Sequence, residues 1–513
     1  MGSSSSSQIL SQKSQKFFSD FSNVVSTHTL NDDINELSEK IKLKVYISQI
    51  EKGCSYEIKI YTLNNKQKCP LNESGACSFQ DDSTIVLDTP ILIRYFFEKE
   101  QPLLVIIKKT ESGNTKKFEF QTTLGCIMGS RKNTLEKKSS TGNDILILQA
   151  EKLKPNQDII IVKFDLSSNK DILFNDIKVK IYYEIHSDKI LYRSECINDE
   201  GIFNPIKIPL DLFNNNKINI KFYNNNKKVI EDSNMSIFEF INEKIFNIKV
   251  NDIPIKILSK SRVTKNFTFI DYLKAGVQIG LSIAIDFTGS NGKPYFRQSL
   301  HFIDPSKPNQ YERAIYSCGN IVAYYDYDQL FPCFGFGAKI NDEACPLFNL
   351  NFKEDPNINY IQGIIEEYHK AVHKVEFWGP TFFRPIIRKM NQIIKKENNV
   401  FKYHILMILT DGKIDDIDKT IEELVESSFL PLSVIIIGIG TTNFSSMVLL
   451  DADKNPLINS KGVKAARDLV QFVPFLKYES KPELLANEVL AEIPRQIVEY
   501  YELNDLDPIK LVS

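Results

Sequence analysis

The sequence predicts two antiparallel β-sandwiches in tandem followed by a doubly wound, mostly parallel α/β sheet, and three observations carry that expectation. From about residue 40 to about 255, apolar and polar residues alternate in short runs, the period of half-buried strands. After about residue 265 the rhythm changes: β-branched apolar runs alternate with helical stretches, as a parallel sheet covered on both faces requires. Length is the third, since 513 residues exceed one ordinary core and favour roughly three domains. Hydrophobic content of 42% is that of folded domains.

Residues 1–36 open MGSSSSSQ and continue rich in Ser and Asn, so no core forms there. Leu10, Phe17, Phe18, Phe21, Val24 and Val25 fall at helical spacing beside Lys13 and Lys16; the segment reads either as a loose arm or as an amphipathic helix. Residues 37–153 supply IKLKVYIS, YEIKIYTL, ILIRYFF, LLVIIKK, FEFQTTL and DILILQAE, the strands of a first sandwich. Residues 154–256 repeat that style with DIIIVKFDL, IKVKIYYEI, KILYRSE, INIKFYN and IFNIKV. In residues 265–503 the strands VQIGLSIAID, LFPCFGFGAKI, KYHILMILTD, LPLSVIIIGIG and LVQFVPF alternate with helices such as YIQGIIEEYHKAVHKV and FFRPIIRKMNQIIKKE, and 504–513 is a tail.

Chemistry concentrates at two strand ends. Asp286, Thr288 and Ser290 leave the first α/β strand within five residues and offer only hard oxygens, the ligands Mg²⁺ and Mn²⁺ prefer over those of Zn²⁺. Much later YHILMILTDG ends in Asp411, and parallel strands deliver such residues to one carboxyl edge. Two acids are therefore expected to share one cation.

Composition excludes more than it assigns. Lys+Arg 63 against Asp+Glu 65 gives a formal net charge of −2, which argues against a nucleic-acid partner. The cysteines lack a CxxC pair and no leader-like segment precedes them, so a reducing cytosol is expected. Apolar runs such as SVIIIGIG fall far short of the roughly 20 residues that span a bilayer, so membrane contact is expected to be peripheral, on the cytoplasmic face of the plasma membrane.

The strings DFTGSNG, SLHFIDP, LFPCFGFGAKI, YIQGIIEEYHKAV, FWGPTFFRPII, ILTDGKIDD, LPLSVIIIGIGTTNFSSM, RDLVQFVPF and LAEIPRQIVEYY resemble, in order, the copine family, in which two C2 domains precede a von Willebrand factor A-type domain. The β units are similar to C2 domains through TTLGCIMGSRKNTLEKK and the register around Asp176 and Tyr192. The resemblance implies a metal-ion-dependent adhesion site whose ligands are Asp286, Thr288, Ser290, Thr381 in GPTFF and Asp411 in TDG, holding Mg²⁺ or Mn²⁺ with one position open for a partner's acidic side chain. It further implies calcium-dependent phospholipid binding, with roles in signalling or membrane trafficking; enzymatic activity is not expected.

The chain departs from that pattern in its sandwiches. The loops QIEKGCS and KKTESGNTKK of the first hold no aspartate, so calcium binding there is not expected. The second keeps Asp171 and Asp176 in one loop, has Asn224 and Asn226 in the other, and adds Asp232; weak Ca²⁺ binding and solvated loop acids both fit. Lys178, Lys180, Lys217, Lys221, Lys227 and Lys228 are candidates for a face that meets anionic lipid, each worth about 1 kcal/mol near such a surface. Gly2 followed by Ser6 fits an N-myristoylation pattern, and a low-complexity Ser tract accounts for the same residues.

Enzyme-like strings fail on spacing. GIGTTNFS lacks the third glycine of a dinucleotide fingerprint, and HKAVH lacks the glutamate of a metalloprotease helix. The sequence thus points to an adaptor that brings cytosolic protein partners to anionic membranes. The alternative is a relative of ubiquitin ligases with an A-type domain that lost or never had a RING module, since no paired zinc ligands follow the α/β segment.

Overall fold

The structure, a computed structural model, describes residues 38–51, 53–64, 67–139, 143–166, 181–186, 190–193, 206–210, 218–224, 227–235, 244–250, 253–451, 456–479 and 481–512. The chain divides into two compact units, one of residues 38–153 with 267–513 and one that contains 154–266.

In the larger unit, the strand Glu39–Ser48 buries Ile41, Leu43, Val45 and Ile47 while the residues between them stay wetter, the period-2 pattern read from the sequence. It pairs antiparallel with Ile145–Lys152, and a second sheet joins Cys54–Asn64 to Pro102–Glu111 and Asn114–Thr123. Gln67–Pro70, Cys77–Asp81, Thr84–Leu87 and Thr134–Lys138 complete the two sheets with short strands that the alternation did not single out.

The α/β part is a mixed sheet with spatial order Glu343–Asn349, Leu330–Ile340, Gln278–Asp286, Lys402–Thr410, Leu432–Gly438 and Val470–Pro474. All pairings along that path are parallel except the first, which is antiparallel and closes one edge. Both faces are covered. Ile405, Met407 and Leu409 point into one core with the helices Gln310–Val322 and Tyr360–Lys374, and Leu406 and Ile408 into the other with Arg384–Glu397 and Ile417–Ser427. Chain order runs outward in opposite directions from Gln278–Asp286 and Lys402–Thr410, which makes the gap between them the topological switch point, where such sheets bind ligands.

The first sandwich and the α/β part share one continuous buried core. The junction is the string GCIMG: helix Leu124–Gly129, capped by the Thr123 hydroxyl accepting from Cys126 N–H, lays Gly125 and Gly129 against Tyr324. A Cβ on Gly129 would sit 2.0 Å from the Tyr324 carbonyl oxygen, so only glycine permits that approach. The buried hydroxyls of Tyr95 and Tyr325 are hydrogen-bonded at 2.5 Å, and Phe97 packs on the Tyr325 ring at 4.9 Å. Lys152 pairs with Asp271 at 3.1 Å, and the Thr268 hydroxyl donates to Glu39, whose carboxyl burial pushes up.

The second sandwich has two four-stranded antiparallel sheets around Phe164, Phe222 and Phe246. Its last strand, Ile253–Lys265, runs past the boundary at 256 and pairs with Asp158–Leu166 as far as Lys265. Three features of the α/β part differ from the sequence reading. The run ELLANEVLAEIPRQIVEYYE forms two helices, Pro482–Leu490 and Ile493–Leu503, the second starting where Pro494 lacks an N–H to continue the first. Helix Phe269–Ala275 precedes the first central strand, and Pro508–Val512 is helical in the tail, with Leu511 buried.

Candidate metal centre

The strands Gln278–Asp286 and Lys402–Thr410 are hydrogen-bonded neighbours, so their carboxyl ends place Asp286 and Asp411 side by side. Asp286 is fully buried, and its Oδ1 accepts from the Thr288 backbone N–H at 2.8 Å. Its Oδ2 accepts from the Thr410 hydroxyl. Thr288 and Ser290 hydroxyls lie 2.9 Å apart, and the Ser290 hydroxyl donates to Asp411 Oδ1 at 2.8 Å. Thr381 Oγ1 and Asp286 Oδ2 both face Gly412, 3.0 and 3.8 Å from where a Cβ on that glycine would lie. All five residues read from the sequence meet at one point. Ser290 is exposed while the other four are buried, so the cluster opens to solvent on the Ser290 side.

Electrostatically the cluster is under-compensated. Neither carboxylate takes part in an ion pair among the described residues. Burial raises the Asp286 carboxyl, against the hydroxyls of Thr288 and Thr410. Asp411 is pushed up to about 7, by burial first and by the charge of Asp286 second. Two buried acids that repel each other, ringed by neutral hydroxyls, form a set of hard oxygens that suits a small divalent cation.

The surrounding shell was not foreseen from the sequence. Asn291 donates to Asp411 Oδ1 at 3.0 Å and accepts from the buried Tyr311 hydroxyl at 2.6 Å. His301 is fully buried, its pKa pushed down to about 3, so the ring is neutral. Its Nε2 lies 2.7 Å from the Asp286 carbonyl oxygen, which only accepts; the proton therefore sits on Nε2, and Nδ1 accepts from Tyr368 at 2.8 Å. Phe287 and Tyr311 stack on the two faces of that ring, at 5.2 and 4.1 Å. Asp415 accepts from Thr381 N–H at 2.9 Å, and Asp416 accepts from Phe383 and Arg384 N–H at 2.9 and 3.0 Å, fixing the Thr381 loop to the Asp411 loop and capping helix Arg384–Glu397. The acids of TDGKIDD and the lone histidine of SLHFIDP were the available signals. A buried histidine held by a backbone carbonyl has no spacing that announces it.

Residues 299–509 match the family model described as Copine. Those residues carry a copine domain. The matched copine domain contains Thr381 and Asp411 and begins after Asp286, Thr288 and Ser290. Similar solved structures include manganese-loaded TRAP protein of Plasmodium vivax, 13% identical, covering 41% of this chain and 74% of that one at a TM-score of 0.26. The VWA domain of SpRpn10 is 14% identical, with 42% and 95% covered at a TM-score of 0.27. The tandem C2 domains of extended-synaptotagmin 2 are 7% identical, with 47% and 98% covered at a TM-score of 0.16.

Outside the copine domain the candidate residues fare unevenly. Gly2, Asp171, Asp176, Lys178, Lys180 and Lys217 lie outside the described residues. Asp232, Lys227 and Lys228 are on the strand Lys227–Met235, at register positions opposite Ile220, Asn224 and Tyr223. Lys221 is in register with Glu184 on one flanking strand and with Glu231 on the other. At the tip of the first sandwich, ligand atoms of Glu51, Cys54 and Glu111 lie within 4.8 Å of one another. A cation of the protein already serves there: buried Lys109 reaches Glu51 at 2.8 Å and Asp144 at 3.0 Å. Inside the copine domain, His369 of the HKAVH string bonds Glu312 at 2.7 Å, a structural pair at the start of helix Gln310–Val322.

Proposed function

We propose that this copine-like protein is a non-enzymatic adaptor that captures protein partners through a divalent cation held by Asp286, Thr288, Ser290, Thr381 and Asp411, and that its sandwiches bring the captured partner to anionic phospholipid on the cytoplasmic face of the plasma membrane. The observation that supports it is the convergence of those five oxygen donors on one opening beside Ser290, with two buried carboxylates short of positive charge. Mg²⁺ or Mn²⁺ there would supply a Lewis-acidic position for a partner's carboxylate. The chain's own part is to orient the donors: His301 fixes the Asp286 backbone, Asn291 and Ser290 fix Asp411, and Asp415 fixes Thr381. Among the described residues no helix is long and apolar enough to cross a membrane.

Calcium dependence in this reading belongs to the second sandwich, through Asp171, Asp176 and Asp232. Lys109 supports leaving the first sandwich out, because its ammonium already pairs with Glu51 and Asp144 at that tip. Asp286→Ala is expected to abolish Mg²⁺-dependent partner capture and to leave liposome binding at the wild-type level. Capture of the same partner by that variant with and without Mg²⁺ would overturn the assignment.

A further inference from the structure

Three large aromatic side chains are exposed on the two loops that carry donors of the metal centre. Trp378, the one tryptophan of the chain, is 51% exposed, Tyr295 66% and Phe296 54%. Trp378 is joined to the first metal loop by its backbone: its carbonyl accepts from Gly289 N–H at 2.8 Å, one residue before Ser290. Thr381, three residues beyond it, is a donor of the centre. Tyr295 and Phe296, with ring centroids 4.7 Å apart, ride on the segment that follows Ser290. That segment is closed at its base by Leu300 N–H and the Ser299 hydroxyl donating to the Asn291 carbonyl, both at 3.0 Å. Asn291 in turn bonds Asp411. These aromatics are thus carried on backbone fastened to the centre itself.

Charge accompanies them. The segment from Phe287 to Ile303 holds Lys293 and Arg297 and no acidic residue, exposed Lys413 follows Asp411 by two positions, and Lys339 lies over the Trp378 ring at 3.1 Å. Exposed aromatic rings with cations near them are the side chains enriched in the energetic centres of protein interfaces.

We propose that Trp378, Tyr295 and Phe296 form a specificity rim that selects a partner segment in which an acidic side chain is flanked by an aromatic or large aliphatic one. The carboxylate reaches the centre, the neighbouring apolar side chain packs on the rim, and Lys293, Arg297 and Lys413 favour acidic residues around it. This rests on the metal-dependent capture described above, and it adds that the metal alone does not choose the partner. A protein segment is favoured over a lipid headgroup because exposed aromatic rings near cations are what protein interfaces use, and these are carried on backbone joined to the two buried carboxylates.

The test is a random peptide library displayed on phage, panned on the full chain in Mg²⁺ and again in EDTA. The enriched peptide is then titrated against wild type, Trp378→Ala and the double variant Tyr295→Ser, Phe296→Ser, with MgCl₂ titrated alone in parallel. The expected result is a motif of Asp or Glu beside Phe, Tyr, Trp or Leu that is lost in EDTA, with the rim variants binding that peptide about tenfold or more weaker at unchanged Mg²⁺ affinity. Enrichment of acids with no apolar neighbour, failure to enrich any motif in Mg²⁺, rim variants that bind like wild type, or displacement of the peptide by phosphatidylserine vesicles would each overturn the proposal while leaving the metal centre in place. A chain that binds no Mg²⁺, or selects the same peptides in EDTA, removes the metal-dependent reading and this one with it.

Discussion

At the scale of single residues, the centre is a pair of carboxyl groups that share too little positive charge. The Asp411 carboxyl titrates near 7 in the folded chain against an ordinary value of 3.8, so between those pH values the native state holds a proton that the unfolded chain has released. The linkage sign follows. Without a divalent ion, this group contributes stability that is fully present below about pH 4 and is lost as pH rises through about 7. Urea unfolding in EDTA should therefore give a lower midpoint at pH 8 than at pH 5.5. Saturating Mg²⁺ should remove that loss, because the cation replaces the proton as the partner of the pair, and Mg²⁺ affinity should rise from pH 6 to pH 8. An EDTA midpoint that climbs over the same interval would contradict the assignment of the pair. Two further acids act through the backbone. Asp416→Ala removes the acceptor of two helix N–H groups and should cost about 1–2 kcal/mol in the same urea assay. Asp415→Ala releases the Thr381 N–H and should weaken Mg²⁺ binding by about tenfold in a calorimetric titration, the usual effect of losing an outer hydrogen bond to a metal site.

At the scale of elements, the central strands were legible because burial on both faces leaves a continuous apolar run that ends in its functional residue. SIAID and LMILTD need no partner to be recognised. Asp286, Thr288, Ser290 and Asp411 could be read for the same reason, since strand ends share one edge whatever the loops do, whereas Thr381 was legible only through the resemblance. The edge strand Glu343–Asn349, wetter than the central strands, has no such signature, and the helix break before Pro494 fell inside one apolar periodicity. The shell around the centre was hidden more deeply. Tyr311, His301, Asn291 and Asp411 are linked in space by contacts between residues far apart in the chain, and no local pattern encodes a long-range hydrogen bond. The same holds for helix Leu124–Gly129, whose glycines look like turn residues until Tyr324 is seen against them. Gly129→Ala forces a methyl group onto the Tyr324 backbone, which cannot yield as a side chain tip would. It should destabilise the larger unit by about 2–3 kcal/mol, measured by urea unfolding. Gly113→Ala, at a hairpin where a Cβ meets nothing within 4 Å but φ is +85°, separates the two causes by testing backbone strain without the packing clash.

For the whole molecule, the consequence of one core running through residues 38–153 and 267–513 is that a ligand of the copine domain stabilises a sandwich it never touches. Any ion that binds only the native state lowers its free energy by RT ln(1 + [L]/Kd), about 2.7 kcal/mol at a hundredfold excess over Kd. If the Tyr95–Tyr325 hydrogen bond, the Tyr324 seat on helix Leu124–Gly129 and the Lys152–Asp271 pair make the unit cooperative, that gain is distributed over every amide that exchanges through its global unfolding. Hydrogen exchange should accordingly slow in the strand Glu39–Ser48 when Mg²⁺ is added, by the same factor as in the central strand Lys402–Thr410. Gly129→Ala should break that correspondence, leaving Lys402–Thr410 protected and Glu39–Ser48 indifferent to the ion. Protection confined to Lys402–Thr410 in the wild-type chain would mean that the shared core is contact without cooperativity, and that the first sandwich opens independently of what the metal centre holds.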